Sequence, residues 1–230
     1  MTSRKRMAVC LLLLCFSTAI ASTTFDIGGV PVLIPSPHGY VEVTPKMTAV
    51  WQVFQALIKT NRALASYIPE AEQSAALAGR KTNLYRNTSV QVSRSLEDRV
   101  LTSDEFEQMR KGVEAIVASH LANTVENKAV ENASGNLAKL YGFNPQLSQT
   151  RNLTLPLHVS QEDEFSYSEI STEQITMPDG SIRRTEVTQT ATTIFIKGKI
   201  LMFYVNGTAN DLNWTRAVAR EWADSIIAAN

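Results

Sequence analysis

The chain has 230 residues, 22 basic side chains against 22 acidic ones, 44 % apolar residues and two cysteines. This near-balance, without a polybasic tract or a basic amphipathic helix, argues against the clustered positive surface that nucleic acid or an anionic membrane requires. Cys10 and Cys15 both fall within the first 21 residues, so the rest of the chain excludes disulfides, thiolate catalysis and cysteine-zinc sites.

Arg4, Lys5 and Arg6 precede an apolar run over 8–16, and Ala19-Ile20-Ala21 supplies the small residues of a cleavage site before Ser22. This is the pattern of a secretory signal peptide. Its apolar run is too short for a transmembrane span. Val9 and Leu14 stand before the two cysteines, where lipid attachment needs a small residue. Residues 1–21 are therefore expected to be a cleaved signal peptide. Residues 22–230 are expected to form a single α+β domain, periplasmic or secreted, without stable membrane insertion after cleavage. Removal of the leader takes away three basic side chains and no acidic one, leaving the remainder slightly acidic.

Residues 25–34 read as a strand or hairpin bent at Gly28-Gly29, without the spacing of a nucleotide-binding loop. A turn over 35–39 and a short extended piece over 40–43 follow. A helix opens near Thr44-Pro45 or Thr48 and runs to about 60, with Val50, Trp51, Phe54, Leu57 and Ile58 on its apolar face. Residues 62–68 read as a strand stopped by Pro69; 70–80 is a helical turn or a loop; 83–94 alternates as a strand. Thr102 and Glu105 have capping-box spacing ahead of a long helix to about 126, with Phe106, Met109, Val113, Ile116, Val117, His120 and Leu121 on one stripe. Residues 128–147 are expected to be a long polar loop with a little helix around 137–140, the best candidate for a functional insertion. Strands follow at 152–160 and 165–176, the second ending in the hairpin turn Met177-Pro178-Asp179-Gly180-Ser181.

The last third organises the rest. A strand over 185–196 carries Val187, Gln189, Ala191 and Thr193 as a weak apolar face. The turn Lys197-Gly198-Lys199, with two solvated lysines, leads into the unbroken apolar strand 200–206. A helix over 211–229 then repeats Trp214, Ala217, Val218, Trp222, Ile226 and Ala229, with Arg216, Arg220 and Asp224 directed elsewhere. Core packing is the expected role of both tryptophans.

No catalytic, cofactor-binding or metal-ligating residue is assigned from the sequence, and no cofactor is expected. His38, His120 and His158 lack metal-ligand spacing. No Gly-x-Ser-x-Gly elbow is present. The run Glu162-Asp163-Glu164 lacks the glycine and alternating ligands of a calcium loop and reads as a solvated turn. The sequons at Asn87, Asn132, Asn152, Asn206 and Asn213 are taken as incidental.

The strand pair over 30–43, the strand-helix passage 90–106 and the closing hairpin and Trp-bearing helix over 194–227 together resemble the PsbP/Mog1/DcrB-like α/β/α sandwich. The segment Ile196-Lys197-Gly198-Lys199-Ile200-Leu201, with Trp214 and Trp222 downstream, also resembles uncharacterised exported bacterial proteins. The resemblance implies a largely antiparallel sheet covered by about three main helices. It further implies a binding or assembly protein, here with an envelope protein or small ligand as partner. The competing expectation is a periplasmic hydrolase whose acid/base pair assembles from distant residues such as Glu162 or His158.

Overall fold

The computed structural model describes residues 22–58, 61–119, 146–176, 179 and 181–230, of 146–152 the backbone only. Its strands are β1 (Ser22–Ile27), β2 (Val30–Pro35), β3 (Tyr40–Glu42), β4 (Asn61–Pro69), β5 (Asn87–Ser93), β6 (Gln146–Ser160), β7 (Glu164–Thr176), β8 (Ile182–Ile196) and β9 (Lys199–Thr208). The helices are α1 (Thr48–Leu57), the short α2 (Gln73–Leu77), α3 (Ser103–Ala118) and α4 (Leu212–Ala228). β1 and β2 pair as a hairpin, and the other seven strands form one antiparallel sheet in the order β3-β4-β5-β9-β8-β7-β6.

The alternation of strand side chains separates two covered faces. Tyr67, Val90, Val92, Leu201, Phe203 and Val205 point toward α4 and the β1–β2 hairpin. On the opposite face, Ile68 meets α1 and α2, while Phe165 and Ile200 meet Phe106 of α3. The layering is therefore α/β/α, with an antiparallel sheet in the middle. Trp222 is the keystone of the first core: its ring stands edge-on to Tyr67 at 5.5 Å and tilted against Phe203 at 5.1 Å. Its Nε1–H donates to the Pro35 carbonyl at 2.8 Å, tying α4 to the end of β2.

Most elements form where their residues predict them. The Thr102–Glu105 capping box is present, with the Thr102 hydroxyl accepting from the Glu105 N–H. This satisfies donors that a helix start leaves open. The two-residue turn between β8 and β9 has Lys197 and Gly198 at φ 52° and 78°, the positive values a type I′ hairpin needs. The turn is also packed over, because the Leu101 N–H donates to the Gly198 carbonyl.

Several expectations are corrected. Lys199 is the first residue of β9 and only 1 % exposed; it is covered by the β1–β2 turn and residues 97–99, which no local pattern announces. Along β8 the buried side is the threonine side, Thr188, Thr190 and Thr192, since α4 lies on that face and supplies Thr215 to meet them. Glu164 opens β7 and is buried, so the acidic run is not a solvated turn throughout. β6 opens at Gln146, within the expected loop. The seam of α4 is Thr215, Ala219, Trp222, Ala223 and Ile226, while Arg216 and Arg220 turn toward β7 rather than away from the sheet. The expected loop over 128–145, the helix beyond 119 and His120 lie outside the described residues, as do Met177, Pro178 and Gly180 of the turn after β7.

Candidate functional site

Antiparallel pairing of β5 with β9 sets Asn87 opposite Asn206, which brings Arg86, just before β5, beside the turn that follows β9. Gly207 permits that turn to fold back closely, because a Cβ there would lie 2.7 Å from Asp211 Cβ. Asp211 closes a capping box with Thr208 and accepts from its N–H and hydroxyl, both at 2.8 Å. The guanidinium of Arg86 forks onto the same carboxylate, Nε at 3.2 Å and the second nitrogen at 2.7 Å. Trp214, three residues beyond Asp211 and so on the same helical side, offers its ring face 4.7 Å from the Arg86 Cζ.

The result is a rigidly presented arginine at the rim of a cleft of about 390 Å³ lined by Pro69, Glu72, Asn83, Tyr85, Arg86, Thr208 and Asp211. Arg86 is 52 % exposed while Asp211 is 8 % exposed at its side chain. The Arg86 fork, aided by the Thr208 donors, holds Asp211 down at about 2. The Tyr40 hydroxyl lies close enough to Arg86 and Asp211 to feel both charges; it is buried and has no hydrogen-bond partner among the described residues. Burial raises the Tyr40 phenol well above its ordinary value, with Arg86 pulling the other way. Tyr85 stands 47 % exposed beside the arginine, and Leu77 of the neighbouring α2 is also exposed. A forked, cation-π-stacked arginine beside aromatic surface is the chemistry of a protein-binding anchor.

A second polar cluster lies between α4 and the β6–β7–β8 part of the sheet. Thr190 Oγ1 donates to Thr215 Oγ1 at 2.8 Å, Arg216 Nε to Ser168 at 3.1 Å, and Arg220 to Glu164 Oε2 at 3.0 Å. Ser166 shares its hydroxyl with Thr192 at 2.8 Å, the Ala191 carbonyl at 3.2 Å and His158 Nε2 at 3.2 Å. Burial, reinforced by Arg216, lowers His158 to about 4, so its imidazole is neutral near pH 7.

This cluster bears directly on the hydrolase expectation. A nucleophile must reach substrate, and Ser166, the only hydroxyl bonded to His158 among the described residues, is 0 % exposed. Glu162 is exposed in the bend before β7, and among the described residues no hydrogen bond or ion pair joins it to His158. His38 is exposed and apart from both clusters. Among the described residues no group of three or more His, Cys, Asp or Glu side chains converges as a metal site. Asn87 and Asn206, two of the sequon residues, hydrogen-bond to each other at 2.9 Å within the sheet. Sequence reasoning missed Arg86, Asp211 and Tyr85 as a group, because the fork spans 125 positions; it assigned Trp214 to the core, and the half-buried ring does pack against that core while also carrying the Arg86 guanidinium over its face.

No protein-family model matches the chain, and no curated protein sequence matches it. Solved structures do. The chain is similar to those of the PsbP and Mog1 fold. The solution structure of cyanobacterial PsbP (CyanoP) from Synechocystis sp. PCC 6803 has 12 % identity and a TM-score of 0.36, over 93 % of this chain and 96 % of that one. The Ran-binding protein Mog1p of Saccharomyces cerevisiae has 10 % identity and a TM-score of 0.32, over 92 % and 95 %. A protein of unknown function from Pseudomonas aeruginosa, described as a putative regulator, has 10 % identity and a TM-score of 0.23, over 87 % and 92 %. With identities this low, the chemistry of the site is read from this chain's own residues. Among the described residues no helix is long and apolar enough to cross a membrane.

Proposed function

We propose that this protein is an exported binding or assembly factor of the cell envelope that engages a partner protein through the Arg86 cleft. The carrying observation is the arginine itself, fixed by Asp211 and Trp214 yet half exposed. Holding the side chain in place before contact removes much of the ordering cost that binding otherwise incurs. Arginine, tryptophan and tyrosine are also the residue types that dominate binding energy at interfaces, and Tyr85 adds an exposed aromatic ring to the cleft. Export is supported by the leader pattern over 1–21. The fold from Ser22 onward is proposed to act as one α+β domain.

The test is photo-crosslinking in intact cells. A photoreactive amino acid replaces Tyr85 in one strain and Ile182, exposed at the start of β8, in another. The reading expects a discrete protein adduct from position 85 and none from 182, on a mature chain beginning at Ser22 in the envelope or external fraction. Equal adducts from both positions, or a chain that stays in the cytoplasm with its leader intact, would contradict it.

A further inference from the structure

α4 is held to the sheet by two kinds of contact, an apolar seam along its length and polar bonds toward β7 and β8. Trp222, Ala223 and Ile226 seat the C-terminal half in the apolar core. Toward β7 and β8, the middle of the helix is fastened by polar contacts: Thr215 to Thr190, Arg216 to Ser168, and Arg220 to Glu164. Glu164 is 1 % exposed. One of its oxygens accepts from Arg220, and the other is buried without a partner among the described residues. An ionised carboxylate so placed has lost its water on one side and gained nothing there; a protonated one carries only the smaller penalty of a neutral polar group.

We propose that the Glu164–Arg220 contact is a proton-operated catch: with the carboxyl protonated, the middle of α4 stays seated on β7, and with it ionised, that turn of helix separates locally and admits water. The charged and titratable groups around Glu164 are Arg216, Arg220 and Asp224 of α4, His158 of β6, and Asp163 in the turn before β7; β8 sets Ile194 opposite it. Burial lifts Glu164 to about 7 against the pull of Arg220, with Asp224 and Asp163 adding to the rise. The linkage follows in sign. A hydrated glutamate ionises near pH 4.3, so the open form holds fewer protons than the closed one between about pH 4.5 and 7. Opening is therefore increasingly favoured as pH rises through that window and levels off above it. The catch does not depend on the partner proposed for the Arg86 cleft.

Amide hydrogen exchange of the folded protein, corrected for the intrinsic pH dependence, tests this at residues 216–222. The quantity to follow is the protection of the wild type divided by that of Glu164→Gln. His158 titrates in both proteins and cancels from this ratio. From pH 5.5 to 8.5 the ratio is expected to fall about 30-fold for pKa values near 4.5 open and 7 closed. A ratio that stays constant overturns the proposal. Arg220→Gln provides a second arm that holds if Glu164→Gln fails to fold. Without its cation the closed carboxylate is worse off, so the loss of protection must deepen and extend to higher pH; an unchanged profile likewise overturns the catch.

Discussion

Trp222→Ala is expected to lower the folding stability by about 3–5 kcal/mol, the range for large aromatic side chains removed from a packed core. The indole joins three separate parts of the fold: Tyr67 of β4, Phe203 of β9 and, through Nε1, the carbonyl of Pro35 at the end of β2. Alanine leaves a cavity between α4 and the sheet and removes the donor to that carbonyl, whose loss adds to the cost. Trp222→Phe keeps most of the apolar contact and loses the hydrogen bond, so its cost is expected to be about 1–2 kcal/mol. Urea unfolding with an unchanged slope measures both. A folding stability for Trp222→Ala within about 1 kcal/mol of wild type would show that α4 is held mainly by something else.

Lys199→Met is expected to cost about 2–3 kcal/mol. The Lys199 ammonium lies under the β1–β2 hairpin and donates to the carbonyls of Gly28 at 3.3 Å, Glu97 at 2.8 Å and Arg99 at 2.9 Å. Methionine fills a similar volume but leaves those three acceptors without their donor in a space closed to water. The space is tight: a Cβ on Gly28 would fall 2.8 Å from the Lys199 Nζ. Removing the buried charge offsets part of the loss, which is why the figure stays below that for Trp222. Denaturant unfolding reads the total, and amide exchange at 97–101 reads the local release of the loop. A methionine variant as stable as wild type would mean that the three carbonyls find water.

The parts of the fold legible in the sequence are those fixed by neighbours along the chain. The Thr102–Glu105 box, the Gly198 turn, the strand ended by Pro69 and the apolar run of β9 each carry their own cause, and each is present. Lys199, Glu164 and the threonines of β8 were misread because their surroundings come from elsewhere. The pleat alone assigns each a side of the sheet, and only the placement of α4 and the β1–β2 hairpin makes that side the buried one. Arg216 and Arg220 failed for the same reason. A charged residue beside an apolar stripe reads as solvated unless the strand it faces is known to carry Ser168 and Glu164. The candidate site was less legible still. Asp211 stands just ahead of α4 without capping it through its side chain; the carboxylate goes to Thr208 and Arg86, and its use of Arg86 depends on the register of β5 against β9. The antiparallel sheet with helices on both faces, by contrast, is what the resemblance to the PsbP/Mog1/DcrB-like sandwich implies, and it is the arrangement observed.

The central claim, that Arg86 is the anchor of a docking cleft, is tested most directly by the yield of the position-85 adduct in an Arg86→Ala background. An interface anchor of this kind is worth about 2 kcal/mol or more, roughly a thirtyfold loss of affinity. Arg86→Ala leaves the Asp211 carboxylate with its Thr208 donors only, so the variant is expected to be less stable but folded, which its circular dichroism and unfolding midpoint verify. The account predicts that the adduct falls at least tenfold at limiting partner concentration while the fold is retained. An adduct of undiminished yield on a folded Arg86→Ala chain would contradict it and remove the cleft as the binding site.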